Sequence, residues 1–320
     1  MKTRKLGRTG LQVSEIGLGT WALGSSVYGD VERSASETLI QGSIDKGINF
    51  FDTAPLYGSK TENGIAETVL GAGLGARKDE VIISTKFGRT ATDVMPGRFT
   101  AKEARQSCEA SLRRLGRSYI DLLFFHSPFG PEEIEDDVWA ELDKLQAEGK
   151  VRSLGHSVSM YEDTRDMSAD WMRDRKIDAI QVVLSPFNRE TRPLIDIARR
   201  LDCGVVAREC MANGFLSGAI RRDTVFPQGS LNARYSREEI GERVDYAESL
   251  KGLLLGGAVK TLPEATYRWV LDQPGVSLAL SGAKSLAELE DSVRASQLEP
   301  YSSAVLERGE ALHTQDFCPA

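Results

Sequence analysis

Short apolar runs alternate along the chain with longer stretches whose apolar residues recur every three or four positions. The runs at 13–19 (Val-Ser-Glu-Ile-Gly-Leu-Gly), 48–52 (Ile-Asn-Phe-Phe-Asp), 81–85 (Val-Ile-Ile-Ser-Thr) and 120–126 (Ile-Asp-Leu-Leu-Phe-Phe-His) predict strands. Further strands are predicted at 152–157, 178–184, 203–208 and 276–280, making eight. Their near-continuous apolarity suits strands buried on both faces of a parallel sheet. Helical spacing predicts helices near 35–46, 62–72, 101–115, 132–148, 162–175 and 190–201. Leu39, Ser43 and Ile44 show that spacing, as do Leu112 and Leu115. Two more helices, near 237–253 and 263–272, fill the long gap before the last strand. This alternation predicts an α/β protein, and eight strands fit a closed TIM (β/α)8 barrel better than an open sheet. The opening segment, Arg4 to Val13, predicts an N-terminal hairpin around Thr9-Gly10 that plugs one barrel mouth. The helices after residue 237 are extra elements near the C-terminus.

The 320 residues would make two domains at ~150 residues each, but a barrel commonly runs ~250 residues or more as one unit. With no linker, repeat or low-complexity stretch, residues 1–320 read as a single domain. The composition, 41% hydrophobic and 27% charged, is that of a globular protein. A net charge of −7 without a basic block argues against a nucleic-acid or membrane-surface role. No apolar stretch follows Met1-Lys-Thr-Arg-Lys-Leu-Gly7, and no run approaches the ~18 residues of a membrane span. Cys108, Cys203, Cys210 and Cys318 show no CxxC spacing and read as reduced thiols, so the expected compartment is the cytoplasm and no metal is expected. Gly71-Ala-Gly73-Leu-Gly75 is glycine-rich but follows a helix rather than a strand. It reads as a helix end and flexible loop, not a dinucleotide fingerprint.

In a barrel, polar residues at strand C-termini are the site candidates. Asp52, Lys86 and His126 end the second, third and fourth strands, and Tyr57 lies five residues after Asp52. Singly each has a plain reading: a helix cap, a solvated lysine, a core histidine. Their convergence on adjacent strands is what points to chemistry. Hydride attack on a carbonyl builds negative charge on oxygen, so a proton donor must stand there. A tyrosine titrating near pH ~10 is a weak acid, and a nearby ammonium eases its ionisation by roughly one to three units. Tyr57 is therefore the expected general acid/base, Lys86 its electrostatic tuner, Asp52 the anchor of Lys86, and His126 the group that orients the carbonyl. His156 is expected to point away from the side chain of Ser157, and Cys210 to be a packed thiol.

The segments Gly47-Ile-Asn-Phe-Phe-Asp52-Thr-Ala-Pro-Leu-Tyr57-Gly, Ile83-Ser-Thr-Lys86-Phe and Asp121-Leu-Leu-Phe-Phe-His126 resemble the signature of the aldo-keto reductase superfamily. Gly149-Lys-Val-Arg-Ser-Leu-Gly155-His-Ser157 and Gly214-Phe-Leu-Ser-Gly218 match further segments, and the likeness runs from about residue 3 to 297. The resemblance implies a (β/α)8 barrel that binds an extended nicotinamide cofactor without a Rossmann domain. It implies that Asp52, Tyr57, Lys86 and His126 form the catalytic tetrad. It places Gly19, Thr20, Trp21 and Asp52 near the nicotinamide ribose, with Trp21 also walling the substrate pocket. Ser157 and Gln181 match carboxamide ligands, and Arg208 stands where many relatives place an aromatic that stacks on the nicotinamide. Leu216 and Gly218 fall in the loop around the pyrophosphate, and Gly282, Lys284, Glu288 and Ser292 in the segment meeting the adenosine end.

Three positions depart from the family pattern. Val158 follows Ser157 where Asn is common, Glu288 replaces Arg or Gln, and Ser292 replaces Asn. They leave the reaction class intact and bear on cofactor choice. The resemblance implies NAD(P)H-dependent reduction of an aldehyde or ketone, or the reverse, with NADP(H) expected and NAD(H) the alternative. The partner is a small carbonyl or alcohol compound, a sugar-derived aldehyde being one candidate. Arg221, Arg222 and Arg234 would suit an anionic substrate or the cofactor phosphates. The rival readings are a non-catalytic, cofactor-binding regulatory subunit on the same barrel and, further off, a barrel isomerase or lyase.

Overall fold

A computed structural model describes residues 1–23, 33–59, 61–91, 98–159 and 161–316; Cys318 lies outside them. Strands β1 (Thr3–Lys5) and β2 (Gln12–Ser14) form an antiparallel hairpin. Strands β3 (Ile16–Gly19), β4 (Phe50–Asp52), β5 (Ile82–Phe87), β6 (Ile120–His126), β7 (Val151–Ser157), β8 (Ala179–Val183), β9 (Gly204–Arg208) and β10 (Leu278–Ser281) follow. They close in that order into a parallel barrel, β10 pairing back on β3. Helices α1 (Arg33–Asp45), α2 (Ile65–Leu74), α3 (Ala101–Leu115), α4 (Val138–Ala147), α5 (Tyr161–Arg173) and α6 (Arg192–Arg200) alternate with the strands. After β9 come α7 (Arg237–Leu254) and α8 (Leu262–Leu271), and after β10 come α9 (Leu286–Gln297) and α10 (Ser303–Asp316).

The expected fold is the one observed, with local differences. The run at 13–19 divides at Glu15: its first part pairs in the hairpin, its second in the barrel. The helix expected at 132–148 begins only at Val138, preceded by a short 3-10 turn at Pro131–Glu133. Two helices outside the expected set, α9 and α10, follow the last strand. The glycine-rich stretch is not a loop. Gly71 and Gly73 lie within α2, where a Cβ would meet the Arg114 backbone at 2.5 Å and Ile40 at 2.5 Å, so they permit close helix packing. Gly75 ends the helix with φ +53°.

Successive side chains of a strand point to opposite faces. Phe50, Leu122, Phe124, Ala179, Val206, Leu278 and Leu280 fill the barrel interior. Phe51, Ile83, Leu123 and Phe125 pack outward against the helices. The hairpin closes the N-terminal mouth, adding Leu6 and Val13 to the interior cluster. Arg8 fastens it, donating to Met172 O (3.1 Å), Leu201 O (3.3 Å), Ile177 O and Asp178 Oδ1 (3.3 Å). Among the described residues no helix is long and apolar enough to cross a membrane.

Candidate active site

The alternation that buries Phe50 and Phe124 carries on to the C-terminal rim. Asp52, Ser84 with Lys86, and His126 share inward parity with Phe50, Ile82 and Phe124, so four polar side chains enter the open mouth from three adjacent strands. The register sets Asp52 opposite Ser84, Lys86 opposite Phe124, and His126 opposite Ser157. Tyr57 reaches the same mouth from the loop after β4. Its N–H donates to Ala54 O (3.1 Å), and its carbonyl accepts from Ala66 N (3.2 Å). Gly58 follows at φ +97°, where a Cβ would strike Ala66 N at 2.9 Å, so the turn that aims Tyr57 requires glycine.

Asp52 is the hub. Its Oδ2 accepts from Lys86 Nζ at 2.7 Å, and its Oδ1 from Ser84 Oγ (2.7 Å) and Gln181 Nε2 (2.9 Å). Lys86 Nζ also donates to Thr53 O at 3.0 Å. Both side chains of the ion pair are buried. Lys86 Nζ lies 4.7 Å from the Tyr57 ring centroid. Burial alone disfavours the Lys86 cation; Asp52, followed by Tyr57, more than offsets this and holds the ammonium above the ordinary lysine range. Burial also pushes the Tyr57 phenol above its ordinary value, with Lys86 pulling the other way. The sequence reading expects a phenol made easier to ionise; in the folded site desolvation outweighs the ammonium, and the phenol stays protonated at neutrality.

The His126 ring stands edge-on to Tyr57, centroids 5.7 Å apart, and Trp21 approaches Tyr57 at 4.9 Å. Burial first, then the Lys86, Arg208 and Arg89 cations, hold His126 well below the ordinary imidazole range. The ring is therefore neutral at pH 7. Trp21, 37% exposed, is partly open to solvent at the mouth.

The remaining candidates spread around this rim. Gly19, Thr20 and Trp21 end β3 or follow it. Ser157 ends β7 opposite Gln181 in the middle of β8, and Ser157 Oγ donates to Gln181 Oε1 at 3.2 Å. Arg208 ends β9; its Nη2 donates to Val158 O (3.1 Å) and Ser159 Oγ (3.3 Å), and its Nη1 pairs with Glu209. Leu216 is fully buried, its side chain in a second apolar cluster with Phe187, Phe215 and Tyr246. Gly218 is left-handed (φ +76°), and a Cβ at Gly282 would meet nothing within 4 Å. Among the described residues, buried Thr20 Oγ1, His126 Nδ1 and Arg208 Nε have no hydrogen-bond partner. Orphaned donors and acceptors at three strand ends of one rim fit a polar ligand such as the nicotinamide end of a dinucleotide.

The far end differs from expectation. Ser292 is fully buried and donates back to Leu289 O at 2.7 Å, so its hydroxyl is already engaged. Glu288 caps α9: its Oε2 accepts from Lys284 N at 2.9 Å, while its own N–H donates to Ser285 Oγ at 3.2 Å. Of the candidate arginines Arg221, Arg222 and Arg234, Arg222 pairs with Asp245, with Nε to Oδ1 at 2.9 Å, and Arg234 donates to Tyr235 OH at 2.9 Å. His156 points outward, bonded to Ser168 Oγ at 2.8 Å, its pKa pushed down to about 3 by burial. Cys210 is buried. His313 contacts Phe187 O at 3.3 Å from within α10.

Sequence reasoning missed Ser84, which holds Asp52, and Arg89, which bonds the His126 and Ser127 carbonyls. Inward parity with Lys86 was the available signal for Ser84. Nothing local marks Arg89.

Known proteins share this architecture. The glycerol dehydrogenase AKR11B4 from Gluconobacter oxydans superposes with a TM-score of 0.83 at 25% identity, over 99% of this chain and 97% of that one. An NADH-specific methylglyoxal reductase from Escherichia coli (strain K12) is 29% identical over 317 residues, 92% of this chain and 93% of the relative. The Schizosaccharomyces pombe aldo-keto reductase yakc, whose name carries NADP(+), is 27% identical over 321 residues, 97% of this chain and 91% of the relative. The model of the Aldo/keto reductase family matches residues 15–313, and the chain belongs to that family, NAD(P)-dependent oxidoreductases acting on carbonyl and alcohol groups.

Proposed function

We propose that Tyr57 is the general acid/base of a reductase that converts a small aldehyde or ketone to an alcohol. The observation that carries this reading is the buried Lys86–Asp52 pair set beside the Tyr57 phenol at the open mouth. A bound nicotinamide supplies or accepts the hydride. As charge grows on the substrate oxygen, the Tyr57 hydroxyl gives up its proton. Lys86 stabilises the phenolate left behind, and Asp52 keeps Lys86 in place. Neutral His126 offers a hydrogen bond that aligns the carbonyl without competing for the proton. In the oxidising direction Tyr57 is the base, and the same ammonium favours its ionised form.

For the cofactor, Thr20, Ser157, Gln181 and Arg208 would hold the nicotinamide end, with Gly218 and Gly282 leaving room for backbone approach. At the adenosine end the reading is a preference for NADP(H). Lys284 precedes α9, whose N-terminus favours anions. The Glu288 carboxylate is drawn to the Lys284 N–H, which blunts its repulsion of a 2′-phosphate. The substrate class extends to sugar-derived aldehydes as one candidate. The test is oxidation of NADPH and NADH by the full-length protein with an aldehyde panel, product alcohol counted against cofactor consumed. One alcohol per cofactor with at least one aldehyde is expected. No oxidation of either cofactor across the panel refutes the reading.

A further inference from the structure

Arg89 follows β5 by two residues and is almost completely buried, at 3% exposure. Its Nε donates to two consecutive carbonyls, His126 O at 2.9 Å and Ser127 O at 3.0 Å. Its Nη2 pairs with Glu133 Oε2 at 2.8 Å, in a bridge whose two side chains are both buried. The same Glu133 oxygen accepts from Phe129 N at 3.0 Å, and the Arg89 guanidinium lies 4.1 Å from the Phe129 ring centroid. One side chain thus gathers the loop from His126 to Glu133. Ser127, at its start, is held at φ +54°, a conformation a non-glycine residue keeps only when its surroundings impose it.

We propose that Arg89 is a positioning residue for the reaction: by clamping the His126 and Ser127 carbonyls it sets the direction of the His126 imidazole. The inference deepens the reading above and rests on the role given there to His126. A planar guanidinium can meet two carbonyls, a carboxylate and an aromatic face together; a lysine ammonium cannot span them. The charges facing His126 are Lys86, backed by Asp52; Arg208, paired with Glu209; and Arg89, paired with Glu133. Tyr57 faces it as a neutral phenol. The three cations all oppose protonation of the ring. Removing Arg89 therefore raises the pH at which His126 gains a proton, and the acid limb of turnover moves to higher pH.

The test compares Arg89→Ala, Arg89→Lys and His126→Asn in the full chain. It reads kcat and KM from pH 5 to 9 and cofactor affinity by quenching of tryptophan fluorescence. Arg89→Ala is expected to lower kcat by at least about tenfold, since small misplacements of an aligning group are costly. Its acid limb should move up and its cofactor affinity should hold. Added guanidinium chloride at millimolar level should restore part of kcat. Arg89→Lys keeps the charge and loses the fork, so its kcat should fall while the acid limb stays. It decides the matter where the alanine variant does not fold. For Arg89→Ala a purely structural role would scale activity down equally at every pH and leave guanidinium without effect, and for Arg89→Lys it would weaken cofactor binding along with kcat; either result, or normal kcat in a folded Arg89 variant, overturns the proposal. If His126→Asn itself turns over normally, the role of His126 fails; if only the Arg89 variants are normal, this inference alone fails.

Discussion

The two mouths of the barrel are built from the same strands and treated in opposite ways. At the N-terminal mouth the hairpin drives Leu6 and Val13 into the interior, and its charges are spent on fastening. Arg4 donates to Leu271 O (2.8 Å), Val276 O (2.9 Å) and Glu15 (2.7 Å), and Glu15 in turn accepts from Ser296 Oγ at 2.8 Å. At the C-terminal mouth, polar atoms of Thr20, His126 and Arg208 are buried with no hydrogen-bond partner among the described residues. Of the six left-handed non-glycine residues described, Ser127, Glu209, Ala212 and Asn213 follow strand ends there. Arg175 and Asp202 are left-handed, and Arg117 Nη2 has no hydrogen-bond partner among the described residues, at the N-terminal mouth as well, so the contrast is one of degree. Imposed backbone and unmet polarity gather at the mouth where the reaction is proposed, the acting end, and the other mouth mainly holds.

The sharpest way to break that division is to remove the charge at the centre of the acting end. Lys86→Met should lower reduction at neutral pH by about a hundredfold, within the usual range for proton-transfer groups. Tyr57 already sits high because it is buried, and Lys86 is what restrains the rise. Without the ammonium the phenol titrates higher still, so the rising limb of alcohol oxidation, which needs phenolate, should move to higher pH. The variant also leaves Asp52 buried without its cation, at a cost of about 3–5 kcal/mol unless the carboxylate takes a proton. A folded variant with an unmoved limb would separate Lys86 from the chemistry.

The matching change at the holding end is Arg8→Ala. It strips hydrogen bonds from the carbonyls of Met172, Ile177 and Leu201. Unmet buried acceptors cost about 1–3 kcal/mol, so the urea midpoint should fall while kcat of the folded enzyme is unchanged. A large loss of kcat with the midpoint intact would join the two mouths functionally.

A smaller effect sharpens the account at the edge of the acting end. Glu288→Arg should raise the NADPH/NADH ratio of kcat/KM by about tenfold, since ~1.4 kcal/mol is one decade. Glu288→Gln keeps an acceptor for the Lys284 N–H and removes the charge, so it should move the ratio the same way by less. High salt should shrink both effects, because Glu288 is exposed. A ratio that moves for neither variant would take position 288 away from the adenosine end.

These residues also show what was legible before the fold. Asp52, Lys86 and His126 could be read because each is a polar residue ending an apolar strand, a one-dimensional signal with a three-dimensional consequence. The eight barrel strands were legible for the same reason. Ser84 needed the inward parity of β5 to be counted back from Lys86. The cap at Ser285-x-x-Glu288 is itself a readable pattern, which reading Glu288 as a cofactor contact obscured. Arg89 and Glu133 lie 44 positions apart and meet only when the loops after β5 and β6 come together, so no local pattern joins them. Helix α10 escaped because its apolar residues are sparse; Val305 and Leu312 find their partners on the distant second cluster, and Glu310 pairs with Arg189 and Arg192.

The most direct test of the division is Tyr57→Phe, which deletes one oxygen at the acting end and leaves the packing of the ring in place. Turnover with the best aldehyde should fall by roughly a hundred- to ten-thousandfold, the span usual for a lost acid/base group. The loss should lie in kcat, with cofactor affinity and the urea midpoint unchanged, because the hydroxyl is needed only as charge develops on the substrate oxygen. Near-normal turnover in the folded variant would contradict the account, since it would take the proton-donating role away from Tyr57 and leave the buried Lys86–Asp52 pair with nothing to tune.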